Sequence, residues 1–361
     1  MKRITEKQVL DALSNVIEPD LGKDLVTLNM IQNVVITDEG KVEFTVVLTT
    51  PACPLKEMIH QACTNAIKHF IKECTEVYIT MSANVTSQKA QVSTGGEGQF
   101  IKNTIAVASG KGGVGKSTVA VNIAVSLVQA GAKVGLIDAD VYGPSIPTMF
   151  GLTGEKPRVE GGKLFPIEKY GIKLMSIGFL TDPQTAVIWR GPMLAAAIKQ
   201  FVNDVLWGPL DYLIFDLPPG TGDVQLSLSQ SLSLTGAVIV TTPQSVALAD
   251  VVRAISMFNT LKVPIIGLIE NMSYFELPDG TKEHLFGEGG GEKLANERSI
   301  SLLGKIPITK ALRERGDAGN PISLDKETKE SSLFRAISSQ IARQIAIKNA
   351  NLPSNGVKIE L

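Results

Sequence analysis

The chain has 361 residues, a formal net charge of −1, 44% hydrophobic and 20% charged residues, and three cysteines. That length suits more than one domain, and the balanced charge gives no electrostatic footprint for a nucleic-acid partner. Cys53, Cys63 and Cys74 are too few for a disulfide scaffold and suit a reducing cytoplasm; Met1 to Lys7 lacks the apolar core of a secretory signal, and no apolar run approaches the ~18 residues of a membrane span.

Residues 1–85 read as a small α/β domain in the order α-β-β-α-β. Thr5-Glu6-Lys7-Gln8 is a capping box that opens a helix with Val9, Leu13, Val16 and Ile17 on its apolar face, ended by Pro19. Asp38-Glu39-Gly40 is a hairpin turn into a strand where Val42, Phe44, Val46 and Leu48 alternate with polar residues. A second helix carries Leu55, Ile59, Ala62, Ala66 and Phe70 on one face, and Val77 to Met81 is the last strand. Residues 86–100 are polar and glycine-rich, a linker by composition.

From 101 to 361 apolar strands alternate with helices, the signature of a mostly parallel, doubly wound sheet. The expected strands are 104–108, 133–138, 172–176, 212–216, 236–241, 264–269 and 302–306. Leu333, Ile337, Ile341 and Ile345 share one face of a C-terminal helix, a stripe that suits core packing or, as an alternative, a membrane surface.

After the first of these strands comes Gly110-Lys111-Gly112-Gly113-Val114-Gly115-Lys116-Ser117, followed by Thr118. It fits the phosphate-loop pattern G-x-x-x-x-G-K-S/T, with a second lysine at Lys111. Glycines let the backbone wrap a polyphosphate, Lys116 reaches the β- and γ-phosphates, and the Ser117 hydroxyl binds Mg²⁺. Val119, Ile123, Leu127 and Val128 continue as a helix closed by Gly131, so the positive end of its dipole faces the phosphates.

Three carboxylates end later strands, where open α/β sheets bind ligands. Asp216 is the candidate for the Mg²⁺–phosphate shell. Asp138 and Asp140 lie two apart and share a face of an extended strand; one is suited to orient the attacking water and the other to hold a metal-bound water, unless either is a turn or helix cap. Leu217-Pro218-Pro219-Gly220-Thr221-Gly222-Asp223 is a shaped loop, read either as a switch that senses the γ-phosphate or as an ordinary turn.

Taken together, Lys111 to Ser117, Asp138 to Ser145, Asp216 to Asp223, Trp189-Arg190-Gly191-Pro192-Met193 and Asn271-Met272-Ser273-Tyr274-Phe275 resemble the Mrp/ApbC branch of the MinD/ParA ATPases. These are iron–sulfur cluster carriers with a deviant phosphate loop. Residues 1–85 resemble the small iron–sulfur assembly domain often fused to them, through Thr50-Pro51-Ala52-Cys53-Pro54. The resemblance implies a cytoplasmic homodimer that hydrolyses ATP slowly, with Mg²⁺ held by Ser117, Asp138 and Asp216. Lys111 would reach the partner subunit's nucleotide, Asp140 would orient the hydrolytic water, and Asn271 would read the base, unless it is a strand-end turn residue. The implied cargo is a 4Fe–4S cluster received from assembly scaffolds and handed to apoproteins, with no nucleic-acid or membrane partner.

One departure concerns that cargo. Many family members carry C-P-x-C after N-M-S-x-F, and those thiolates bridge the cluster across the dimer. Here the stretch is Glu276-Leu277-Pro278-Asp279-Gly280, with Leu277 and Gly280 at the two cysteine positions. Cys53, at a strand-to-helix junction where a helix dipole lowers a thiol pKa, is the remaining ligand candidate; the other reading is structural. Cys63 and Cys74 read as small buried residues, and His60, His69 and His284 lack ligand spacing. Phe286 to Gly291 is a flexible segment or a plain loop. Two alternative functions are an ATP-dependent scaffold that holds no cluster and a positioning ATPase like MinD or ParA. The second needs an amphipathic tail or basic surface, and residues 352–361 are neither. A tyrosine kinase of the same superfamily needs C-terminal tyrosines, and none follows Tyr274.

Overall fold

The computed structural model describes residues 3–87, 92–93, 100–141, 143–180 and 191–351. The chain forms two compact units, Met1–Ser87 with Ala342–Leu361, and Gln88–Ile341.

In the first unit, α1 (Glu6–Leu13) starts with the expected capping box: Thr5 and Gln8 each accept the other's backbone N–H. A short hairpin, β1 (Ile17–Glu18) and β2 (Lys23–Asp24), precedes β3 (Ile31–Ile36), β4 (Lys41–Leu48), α2 (Lys56–Phe70) and β5 (Glu76–Ala83). β3 pairs antiparallel with β4, and β5 joins β4 in parallel. Val42, Phe44, Val46 and Leu48 face the helices and are buried with Val9, Leu13, Ile59, Cys63 and Ile67. Two details differ from expectation. α1 stops at Leu13, so Ile17 lies in β1 and is 53% exposed rather than on the helix face. Helix α2 turns Ile67 inward and leaves Phe70 54% exposed, because the buried stripe runs 59, 63, 66, 67.

The second unit begins with β6 (Val92–Ser93) and β7 (Phe100–Ser109), then α3 (Lys116–Gln129), β8 (Val134–Asp138) and α4 (Ile146–Met149). β9 (Val159–Glu160), β10 (Lys163–Leu164), β11 (Ile167–Lys169) and β12 (Ile172–Ser176) follow, then α5 (Gly191–Asp204), β13 (Leu210–Asp216) and α6 (Asp223–Ser231). Next come β14 (Gly236–Thr241), α7 (Ser245–Thr260), β15 (Ile265–Glu270), β16 (Phe275–Glu276), β17 (Lys282–Glu283) and α8 (Gly290–Glu297). β18 (Leu302–Lys305), α9 (Lys310–Asp317) and α10 (Lys329–Asn351) complete it.

The main sheet runs β11-β12-β8-β13-β7-β14-β15-β18, with β6 also on β7. From β12 to β18 every pairing is parallel. These strands are short, nearly continuous apolar runs because both faces are covered. The C-terminal stripe is core: Ile337, Ile341 and Ile345 are buried. The unit division falls inside α10, so the described residues 342–351 group with the first unit rather than with the rest of 101–361. Arg343 Nε donates to Asp20 at 2.8 Å, and Asn349 Nδ2 to the Thr86 carbonyl at 3.0 Å. Among the described residues no helix is long and apolar enough to cross a membrane.

Candidate nucleotide site

β7 lies in the middle of the parallel sheet, between β13 and β14, and its chain passes directly into the loop 110–115 and then α3. Two glycines explain why this corner tolerates no side chain. A Cβ on Gly110 would stand 2.4 Å from the Asp250 carbonyl carbon of α7. Gly115 has φ +79°, and its Cβ would stand 2.3 Å from Asn271 Nδ2. Gly115 is also the N-cap of α3 and supplies no side-chain cap, so the amides of the first turn keep their capacity for an anion. Ser117 and Thr118 are half-buried in that turn.

Lys116 is buried, and its Nζ donates to Asp216 Oδ1 at 2.6 Å, with Asp140 Oδ2 at 3.6 Å and Ser117 Oγ at 3.3 Å. The structure thus brings Lys116, Ser117, Asp140 and Asp216 together. Asp216 is fully buried, and its second oxygen, Oδ2, has no hydrogen-bond partner among the described residues. A hydroxyl and a carboxylate with an open oxygen suit a hard cation such as Mg²⁺, which keeps waters and phosphate oxygens. Among the described residues no three His, Cys, Asp or Glu side chains form a complete metal cage.

Asp138 sits beside Asp216, in register on adjacent parallel strands, and is also fully buried. Its Oδ1 accepts the Asp140 N–H at 3.1 Å; its Oδ2 accepts the Ile146 N–H at 3.2 Å and the Ser176 hydroxyl at 3.0 Å. Burial and the neighbouring Asp216 outweigh Lys116 and push its carboxyl up to about 8. Both oxygens thus take part in shaping the 138–146 loop, as the capping alternative has it. Ser176, which the sequence reading missed, orients it and accepts the Gly178 N–H at 2.9 Å.

The loop after Asp216 is stitched to the end of β7: Leu217 N–H donates to the Val107 carbonyl and Gly220 N–H to that of Ser109, each at 3.0 Å. Lys111 is half-buried, with no ion pair to a carboxylate among the described residues. Asn271 is buried, and its Nδ2 donates to the Val114 carbonyl at 2.8 Å, so its amide clasps the phosphate loop. Beside it Glu270 is buried without having been singled out; a charge ending the apolar run 265–269 was the available signal. Tyr142, Trp189, Arg190 and residues 352–361 lie outside the described residues.

At the expected cluster position, β16 and β17 form a hairpin. Leu277 N–H donates to the Thr281 carbonyl at 2.8 Å and Gly280 N–H to that of Leu277 at 2.9 Å, while Asp279 accepts the Thr281 N–H at 2.9 Å. Gly280 has φ +85°. Pro-Asp-Gly between strands has a turn mechanism of its own: Pro presets φ, Asp bonds two residues on, and Gly supplies positive φ. Neither Leu277 nor Gly280 offers iron a ligand.

Cys53 lines a small cavity of about 10 Å³ with Glu18, Asp20 and Arg343. Burial first, then Glu18 and Asp20, push its thiol up, opposite to the expected lowering. Burial and the two carboxylates outweigh the lowering by the Leu55 backbone N–H at the N-cap of α2 and by Arg343. Cys63 is fully buried and its thiol is pushed up to about 12. Cys74 is half-buried and its thiol donates to the Glu76 carbonyl at 3.3 Å. His60 is half-buried and His69 exposed, while His284 Nδ1 lies 3.1 Å from the Ser273 carbonyl.

Comparison with known proteins places this geometry. Residues 100–346 match the model of the NUBPL iron-transfer P-loop NTPases, and residues 6–80 that of the iron–sulfur cluster assembly proteins. A protein of Synechocystis sp. named iron-sulfur cluster carrier protein is 50% identical over 352 residues, covering 95% of this chain and 99% of that one. A nucleotide-binding protein from Archaeoglobus fulgidus, solved in complex with ADP, is 43% identical with a TM-score of 0.57, over 65% of this chain and 92% of that chain. The cell division ATPase MinD of Pyrococcus furiosus shares the fold, with a TM-score of 0.51 at 22% identity, over 66% of this chain and 98% of that chain.

Proposed function

The chain belongs to the NUBPL iron-transfer P-loop NTPase family, and on that premise we propose that it is an ATP-hydrolysing, cytoplasmic, homodimeric carrier that delivers iron–sulfur clusters to apoproteins. The observation that carries the reading is a phosphate loop whose Lys116 is held by strand-end carboxylates, Asp216 and Asp140, in a chain matched over 100–346.

In the proposed cycle Lys116 leaves Asp216 and Asp140 for the β- and γ-phosphates. Ser117 and Asp216 would hold Mg²⁺, which would supply positive charge to the phosphate oxygens. Asp140, freed of Lys116, accepts a hydrogen bond from the attacking water. The water oxygen bonds to the γ-phosphorus as the bond to the β–γ bridging oxygen breaks. Asp138 keeps the 138–146 loop in shape. Lys111 is available to the partner subunit's nucleotide, and departure of the γ-phosphate releases the 216–223 loop. The cargo is a 4Fe–4S cluster taken from an assembly scaffold, with Cys53 as the ligand candidate left in the chain.

The Leu277–Gly280 turn favours a second reading, an ATP-dependent scaffold that holds no cluster. Anaerobic reconstitution with iron and sulfide, then metal and sulfide counts per dimer, separates the two. A cluster present in the wild type and lost in Cys53→Ala supports the carrier with an N-terminal ligand. No cluster in the wild type leaves the scaffold. Absence of Mg²⁺-dependent ATP hydrolysis would sink both.

A further inference from the structure

Asn271 is held against the phosphate loop from behind as well as in front. The residue before it, Glu270, ends β15 and is fully buried. Its Oε2 accepts the Gly291 N–H at 2.6 Å, and its Oε1 accepts the Ser273 hydroxyl. Gly291 is the second residue of α8, whose N-cap, Gly289, supplies no side-chain cap. The carboxylate therefore fills the role of a cap from a distant strand and faces the positive end of that helix. A Cβ on Gly291 would stand 2.8 Å from Oε2, so the glycine is what admits the carboxylate.

The surrounding backbone is pinned to the sheet. Asn271 N–H donates to the Thr241 carbonyl at 2.7 Å; Ile306 N–H donates to Glu270 and Ser273 N–H to Ile306, each at 2.9 Å. Within that frame Met272 has φ +53°, a conformation a non-glycine residue holds only when its neighbours enforce it. Glu270 bonds on the far side of this turn, to Ser273, while Asn271 bonds on the near side, to Val114. Two adjacent side chains thus clasp opposite partners.

We propose that Glu270 is a positioning residue for nucleotide binding: it holds the 271–273 turn so that the Asn271 amide supports the Val114 carbonyl of the phosphate loop. The same carboxylate ties the start of α8 to that strand end, so the loop leading back from the β16–β17 hairpin shares one anchor with the nucleotide site. The inference rests on the reading of 110–118 as an ATP site.

The test is a double-mutant cycle on the full chain, read by titration with a fluorescent ATP analogue and Mg²⁺. Glu270→Gln keeps the shape but removes the charge facing the start of α8 and leaves one acceptor oxygen where two donors, the Gly291 N–H and the Ser273 hydroxyl, were held. Each of Glu270→Gln and Asn271→Ala should weaken binding about tenfold, and the pair together should also lose about tenfold, because one residue acts through the other. KM should rise with kcat little changed, which loss of global stability alone does not produce. If Glu270→Gln does not fold, Ser273→Ala, which removes one donor to Glu270, should weaken binding in the same direction. Multiplying effects, or unchanged affinity in Glu270→Gln or its Ser273→Ala substitute, would overturn the positioning role. A wild type that binds no nucleotide would instead overturn the reading of the ATP site.

Discussion

The phosphate loop, at the end of a main-sheet strand, and the 277–281 turn, in the separate β16–β17 hairpin, meet opposite requirements. Around the phosphate loop Lys116, Asp138, Asp216 and Asn271 are buried, and each is held by a partner on another segment. At the 277–281 turn Pro278, Asp279 and Gly280 are exposed, and the bonds that hold the turn are local. Buried polar groups are costly to leave unpaired, so the first region fixes its residues as a set. A surface turn fixes only its backbone shape, and its side chains change without disturbing the sheet. The difference teaches that the side chains of the 278–280 turn are separable from the buried set at the nucleotide site, while the chain leading back from the hairpin shares the Glu270 anchor with it.

The largest expected effect tests the committed side. Lys116→Ala should reduce ATP hydrolysis at least about 10²-fold, the scale for removing a preorganised charge donor, and should leave two carboxylates facing each other without their cation. A steady-state phosphate-release assay with an ADP-affinity control checks it; a change of less than about threefold would break the comparison at its strongest point.

A change on the free side should alter cargo without altering catalysis. Leu277→Cys combined with Gly280→Cys restores the C-P-x-C spacing. No atom lies within 4 Å of a Cβ at Gly280, so the cost is the positive φ alone, about 1–2 kcal/mol. After anaerobic reconstitution the double variant should gain iron and sulfide relative to wild type while its ATPase rate stays within about twofold. A collapse of ATPase activity would show that the two regions are coupled.

The smallest effect concerns Cys53. Because its thiol is pushed above the ordinary range, the thiolate fraction at pH 7.5 is reduced, and alkylation there should be slower than for a free cysteine. The rate should rise with pH until above the usual thiol midpoint. Peptide-resolved iodoacetamide kinetics measure this, with Cys63 unreactive until the protein unfolds. Fast modification of Cys53 at pH 7 would return it to the class of activated thiols.

Much of the second unit was legible because a buried parallel strand is a run of apolar residues bounded by turns, which needs no knowledge of its neighbours. The phosphate loop was legible because its glycines and lysine are dictated by the phosphate. Phase errors came where periodicity is weakest: the end of α1, and Phe70 against Ile67 on α2, where adjacent apolar residues offer two stripes. Strand-end position marked Asp138 but did not reveal which backbone amides its carboxylate receives, those of Asp140 and Ile146. The direction of the Cys53 shift depended on burial and on Glu18 and Asp20, which are distant in sequence. Pro278-Asp279-Gly280 carries a turn signal of its own, independent of the two cysteine positions beside it.

The Lys116–Asp216 pair has one more consequence. A resting loop that already carries an anion turns ligand entry into an exchange, in which phosphate oxygens replace carboxylate oxygens around the same ammonium group. The ammonium is already stripped of bulk water, so an incoming ligand gains only the difference between two anions. Free orthophosphate, with one anionic group to offer, competes poorly against the resident carboxylates. A chelated triphosphate engages the loop amides, Ser117 and Lys116 together. On the proposed reading of 110–118 as an ATP site, the Lys116–Asp216 contact would favour a chelated triphosphate over free orthophosphate.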